Sequence, residues 1–392
     1  MSTSASPGYR QFEGQWGERA ELARRTLAME NCRQIASSMI HVMDMPFMEQ
    51  VAGHRAGDYK QDPHKVYLAF QELAGACFIA QYIPENPLTM GQHGYESSTA
   101  KGATTGAEEV VRDGIKIDSP EAVVEHMERF VTPRLKQDIA EFNGDDAYVG
   151  KLIAAEVAQQ KRQGLNILKA PYDGGFQCFP YLRYCYYGYV NYFMAYALFP
   201  EVMERDFALQ ADLSALKNAA AARAIIEGDL PRMVLLDHDM ADSRGTLVNI
   251  HSLDEIWFPN FARSIRPFID AGVRLIWHCD GNLMAMVPRL LEAGLGGFQG
   301  FQYEDGMDYA RICKMKDRNG EGLFILGGVS VTTTLPFGKP QDVKDQLKFL
   351  VENGPARGLM LGASSSIAPA TTRENILTLI EGLKYYREHG RD

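Results

Sequence analysis

Between residues 18 and 53 the leucines, methionines, isoleucines and valines recur at mixed three- and four-residue spacings, the period of a helix with one buried face. Beyond about residue 75 the pattern changes. Short apolar runs, often β-branched, are each followed by polar or glycine-rich residues and then by a longer stretch of helical period. The runs at 77–82, 165–170, 233–236, 273–277, 297–301, 323–327 and 358–361 read as strands, while an eighth has no secure place in the pattern. Helix starts fall between them. Ser119-Pro120 supplies an N-cap with proline at the first helical position, Ser252-Leu253-Asp254-Glu255 looks like a capping box, and Lys339-Pro340-Gln341-Asp342 opens another helix. A last helix spans 372–389. This alternation predicts an α/β fold, a (β/α)8 TIM-type barrel over residues 76–392, with residues 1–75 as an N-terminal helical cap. No repeat or low-complexity segment breaks the series, so one structural domain fits better than two.

Composition narrows the range of partners. Of 392 residues, 46% are apolar and 23% charged, the balance of a folded globular chain. The net charge of -10 is spread along the sequence, with no Lys/Arg stripe for nucleic acid or an anionic membrane, and a polyanionic ligand is disfavoured. No apolar run reaches the roughly 18 to 20 residues of a membrane span, and the first residues lack the apolar centre of a signal peptide, which reads as a cytoplasmic protein. Six scattered cysteines read as free thiols.

In such barrels the loops after the strands build the active site. The strand at 273–277 runs directly into His278-Cys279-Asp280-Gly281-Asn282, three potential ligands or proton carriers together. Alternation puts His278 and Asp280 on one side and Cys279 on the other, where it packs. The plainer alternative is that His278 bonds a neighbouring strand and Asp280 caps a helix. A second cluster, Asp237-His238-Asp239 with Asp242, Ser243 and Arg244, follows the strand at 233–236. It could be an acidic loop with Arg244 as counter-ion, or it could meet the first cluster as a metal site or acid/base pair.

Residues 172–199 hold twelve Tyr or Phe. Such density suits a well-packed helix, or rings that hang over the barrel mouth and sandwich a flat substrate. The loop Gln81-Tyr82-Ile83-Pro84-Glu85-Asn86-Pro87 is stiffened by its prolines. The glycine-rich strand ends at 327–330 and 362–366 would let a bulky ligand approach the backbone, but they match no phosphate-binding fingerprint.

Several of these segments together resemble the uroporphyrinogen decarboxylase superfamily, which includes corrinoid-dependent methyltransferases. They are His278-Cys-Asp-Gly-Asn282, Leu290-Leu-Glu-Ala-Gly294, Leu326-Gly-Gly-Val329, Leu335-Pro-Phe-Gly-Lys-Pro340, Ile367-Ala-Pro369 and Glu374-Asn-Ile376, over roughly residues 230 to 385. The resemblance implies a (β/α)8 barrel. The arginine-containing N-terminal segment of the decarboxylase, similar to Met-Arg-Gln-Ala-Gly-Arg, has no counterpart here. The family's thiol-methylating members hold zinc with a His-x-Cys pair and a later cysteine; here those cysteine positions carry Asp280 and Ser365.

The loop at 81–88 and the aromatic stretch look like those of members that demethylate methyl ethers. The resemblance therefore implies transfer of a methyl group from an O-methyl substrate, such as an aromatic methyl ether, to the cobalt of a corrinoid supplied by a partner protein. It implies a thiolate-poor zinc site built from His278, Asp280 and Asp239 or Glu85, with His238 or Asp239 as the catalytic partner of His278 and Asp280. Tyr82, Phe176, Tyr184 and Tyr187 are the expected substrate contacts. The alternative reaction is a decarboxylase or lyase acting on a small aromatic acid, and a homodimer is left open.

Overall fold

The computed structural model describes residues 8–39, 41–85, 110–172 and 175–391. Eight short parallel strands organise it: β1 (Ala36–Ser38), β2 (Phe78–Ile79), β3 (Leu168–Lys169), β4 (Met233–Asp237), β5 (Arg274–Cys279), β6 (Gly297–Gly300), β7 (Phe324–Val329) and β8 (Leu359–Ala363). Six of them form one curled sheet in the order β1-β8-β7-β6-β5-β4, and β2 pairs with β3 separately. All seven strands expected from the pattern occur. The eighth is β1, inside the stretch that helical spacing alone described, where Ala36 pairs with Met360 and Ser38 with Gly362. Three residues are too few for a period to show against the flanking helices.

The ladder does not join all eight strands, so a full barrel is not shown by backbone pairing. At one junction Cys77 N–H donates to the Ser37 carbonyl at 2.8 Å. At the other, side chains carry the connection: Gln177 Nε2 donates to the Leu235 carbonyl at 3.0 Å and Tyr172 donates to Asp237 Oδ2 at 3.0 Å.

Strand alternation sorts the two faces. Met233, Leu235, Ile276, Gln299 and Leu326 line a space inside the curl, and His278 continues the row of Ile276. Trp277, one residue away, is fully buried on the opposite face, edge-on to Phe261 at 5.5 Å, while Trp257 stacks on Phe261 at 4.6 Å. Phe261 belongs to the helix Phe258–Asp270, which packs on the long helix Pro200–Glu227. This aromatic layer anchors β5 from behind and fixes the depth at which His278 emerges.

The helix starts follow their caps. Ser119 accepts from Ala122 N–H and Asp342 accepts from Lys339 N–H, as expected. The Ser252 segment differs: the helix begins at Ile250 with Asn249 as its cap, and Leu253–Trp257 is a π turn running into the next helix. Asn249 takes the capping role because its carboxamide reaches the N–H of His251 at 2.9 Å. Among the described residues no helix is long and apolar enough to cross a membrane.

Candidate functional site

The sheet brings Asp237 beside His278, since the two are paired residues on β4 and β5. Asp239 lies two positions beyond Asp237, so period-two alternation returns it to the same side. Ligand-capable atoms of Asp237, Asp239 and His278 all lie within 4.8 Å of one another. Asp280 joins this group: its Oδ1 is 4.0 Å from His278 Nε2, its Oδ2 accepts from Ser365 Oγ at 3.3 Å, and its N–H donates to Asp239 Oδ1 at 3.2 Å. Ser365 thus orients a carboxylate.

Gly281 makes this turn possible. It has φ +84°, and a Cβ there would sit 2.7 Å from the Asp242 carbonyl, to which Asn282 N–H donates at 2.8 Å. Asp242 itself is bound by Arg244 at 2.6 Å and lies outside the cluster, which favours the counter-ion reading of that pair.

The electrostatics of the centre follow from burial against charge. His278 is 7% exposed; burial pulls its pKa down, but Asp237, Asp280 and Asp239 outweigh this and leave it above the ordinary value. Burial pushes Asp280 up to about 6, with Asp239 and Asp237 adding to the rise and His278 and Ser365 opposing it. His278 Nδ1 and Asp280 Oδ1 are buried with no hydrogen-bond partner. Of the two, Asp280 Oδ1 lies beside His278 Nε2 in the cluster, whereas Nδ1 lies on the Gly300 side; a buried oxygen of this kind is costly unless something pairs it, and an oxygen-and-nitrogen donor set suits a divalent cation.

The remaining expected residues are distributed differently. His238 turns away: its Nε2 accepts from Leu182 N–H at 3.0 Å and its ring stacks on Tyr184 with centroids 5.5 Å apart. Glu85 is 76% exposed and lies 3.5 Å from His64, not in the cluster. Asn86 and Pro87 of its loop lie outside the described residues. Tyr82 bonds His64 Nδ1 at 2.8 Å, Tyr187 bonds His126 Nδ1 at 2.8 Å, and Phe176 is fully packed. Among the aromatics named as substrate contacts, Tyr184 is tied to the centre, donating to the Asp239 carbonyl at 2.8 Å. Cys279 faces away, as alternation requires: its Sγ accepts from Met240 N–H at 3.3 Å and burial pushes the thiol well up.

Asp237 was missed. The spacing rule that pairs His278 with Asp280 also pairs Asp237 with Asp239, so the signal was present but applied to one strand only.

His41, just beyond β1, is a further buried group at a strand end. It bonds Ser366 Oγ at 3.3 Å, and burial lowers its pKa from 6.5 to about 4; burial lowers His238 to about 4 as well. The unfolded chain therefore takes up protons between these values that the native chain does not. Their contribution is present above about pH 6.5 and is lost as pH falls toward 4, worth about 3 kcal/mol for the more deeply buried His41. Urea denaturation of His41→Gln is expected to lose stability less steeply over this range than the unsubstituted protein. Equal slopes would refute the assignment.

The fold and site together define a strand-end carboxylate and histidine cluster on a curled parallel α/β sheet. No protein-family model matches the chain, and no curated protein matches its sequence. Among solved structures, a methyltransferase from Methanosarcina mazei is similar with a TM-score of 0.53 at 15% identity, covering 94% of this chain and 98% of that one. A putative vitamin-B12 independent methionine synthase from Listeria monocytogenes gives a TM-score of 0.44 at 12% identity over 92% of this chain and 100% of that one, too low to carry an argument. The first likeness shows a shared fold.

Proposed function

We propose that this chain is a methyltransferase that takes a methyl group from an O-methyl substrate, an aromatic methyl ether in the first instance, for delivery to the cobalt of a separate corrinoid protein. The observation that carries the reading is the convergence of Asp237, Asp239 and His278 within 4.8 Å, with Asp280 beside them. Support comes from the motif resemblance around His278-Cys-Asp-Gly-Asn282 and from the fold shared with a structure described as a methyltransferase.

Asp237, Asp239 and His278 would hold a divalent cation, zinc in the first instance, with Asp280 as a further oxygen donor or proton carrier. A cation bound there would draw electron density from the ether oxygen and ease departure of the phenolate. Asp280, whose pKa burial raises to about 6 before any cation binds, is the group beside the site that would carry the proton to that oxygen. In the step the methyl carbon to oxygen bond breaks as the methyl carbon bonds to the reduced cobalt of the partner protein, which supplies the new electron pair; the pair of the broken bond stays on oxygen, and the proton from Asp280 neutralises it. Tyr184 fixes the backbone at Asp239, and the buried aromatic layer behind β5 holds His278 in place.

Incubation with a reduced corrinoid protein and a panel of methoxylated aromatics should convert the cobalt to its methylated form, read by absorbance, and chelation should stop it. A broad panel that never methylates the cobalt, with metal supplied, would overturn the proposal.

The second reading, a decarboxylase or lyase for a small aromatic acid, is favoured by one observation. His278 and Asp280 lie 4.0 Å apart with both pKa values raised, as an acid/base pair could use without metal. Turnover of such an acid by chelated protein would select it.

A further inference from the structure

Asp237 has its orientation set from outside the cluster. Tyr172 Oη donates to its Oδ2 at 3.0 Å, and Gln81 Nε2 donates to the same phenol oxygen at 2.8 Å. Three successive strand ends, those of β2, β3 and β4, thus contribute one residue each. The directions follow from what each group can do. A phenol has a single proton, and with the Gln81 amide donating to its oxygen that proton is the one given to the carboxylate. A flipped Gln81 amide would take the proton and leave the phenol oxygen and the carboxylate facing each other as two acceptors. Tyr172 is 6% exposed, so water does not compete strongly for the bond.

We propose that Tyr172, oriented by Gln81, is a positioning residue for the metal-binding carboxylate of Asp237, an inference that rests on the metal reading above. Holding one oxygen stops the carboxylate from rotating about its Cβ–Cγ bond and presents the other face toward His278. Together with the Gln177 bond to the Leu235 carbonyl, the same bond bridges β3 and β4 where no ladder joins them, and so helps fix the distance between their ends. Partners of this kind set metal affinity although they do not touch the ion.

The test is titration of the full-length, metal-free chain with Zn2+ alone and with Mn2+ alone, followed calorimetrically, beside the melting temperature of each metal-free variant. Tyr172→Phe removes the hydroxyl alone and is expected to weaken binding at least about 10-fold. Gln81→Leu takes away the amide donor but introduces no acceptor for the phenol proton, and should cost less. Gln81→Glu places an acceptor that captures the proton, so it should bind metal more weakly than Gln81→Leu, an order that loss of packing would not produce. The inference is overturned if Tyr172→Phe binds within about 2-fold of the unsubstituted chain, outside the effect expected for such partners, or if Gln81→Glu binds no more weakly than Gln81→Leu. Should Tyr172→Phe fail to fold, the order of the two Gln81 variants decides. An unsubstituted chain that takes up neither ion overturns the metal reading itself, and is recognised before any variant is compared.

Discussion

His278→Ala is expected to bring bound metal to background and to lower methyl transfer by at least about 10^3-fold, while leaving a folded protein. Among the described residues the imidazole is the one nitrogen donor grouped with Asp237, Asp239 and Asp280. Alanine removes the nitrogen donor that zinc prefers and leaves carboxylates alone, a donor set better suited to harder cations. The informative control is His238→Ala. That ring accepts a hydrogen bond from Leu182 N–H and stacks on Tyr184, so its loss should cost about 1–3 kcal/mol of stability and leave most of the metal bound. Metal analysis of both purified variants decides between the two histidines. If His238→Ala loses the metal and His278→Ala keeps it, the centre has been placed on the wrong face of the strand ends.

Asp280→Asn should separate stability from activity. Burial and the neighbouring carboxylates raise the Asp280 pKa from 3.8 to about 6, so the native chain holds a proton that the unfolded chain releases between these values. The sign is therefore destabilising as pH rises: the cost is absent below about pH 4 and complete above about pH 6. Asparagine keeps a hydrogen-bonding group for Ser365 without the charge. The metal-free variant is expected to melt about 1 to 3 °C higher than the unsubstituted protein at pH 8, with the advantage gone at pH 4. Methyl transfer should fall by about 10^2-fold or more, since the proton for the departing oxygen is lost. Thermal melts at the two pH values, with methyl-transfer assays on the same samples, test both halves. An advantage that persists unchanged at pH 4 would remove the electrostatic cause, and full activity would remove the proton.

Much of this architecture was readable because it repeats. Seven of the strands announce themselves as apolar runs closed by polar or glycine residues, and period-two alternation is a covalent property of extended chain. It places His278 with Asp280, turns Cys279 away, and, applied to the neighbouring strand, places Asp237 with Asp239. The sequence also carried the residue types of the centre, with a histidine and carboxylates at two strand ends. By itself it determined, then, which residue types end each strand and which side of the strand they take.

Tertiary structure decided the rest, because no period reports what lies across a sheet. The parallel register that sets Asp237 opposite His278, and β1 opposite β8, depends on how strands far apart in sequence align. That His238 stacks on Tyr184 while Asp237 meets His278 depends on a loop from β3 folding over β4. The aromatic run at 172–199 divides in the same way: Tyr187 packs with His126, Tyr184 steadies Asp239, and Tyr172 reaches Asp237. Burial, and with it the raised pKa of Asp280 and the lowered one of His238, exists only once these elements pack, because the field at a side chain is a sum over neighbours that sequence distance does not rank.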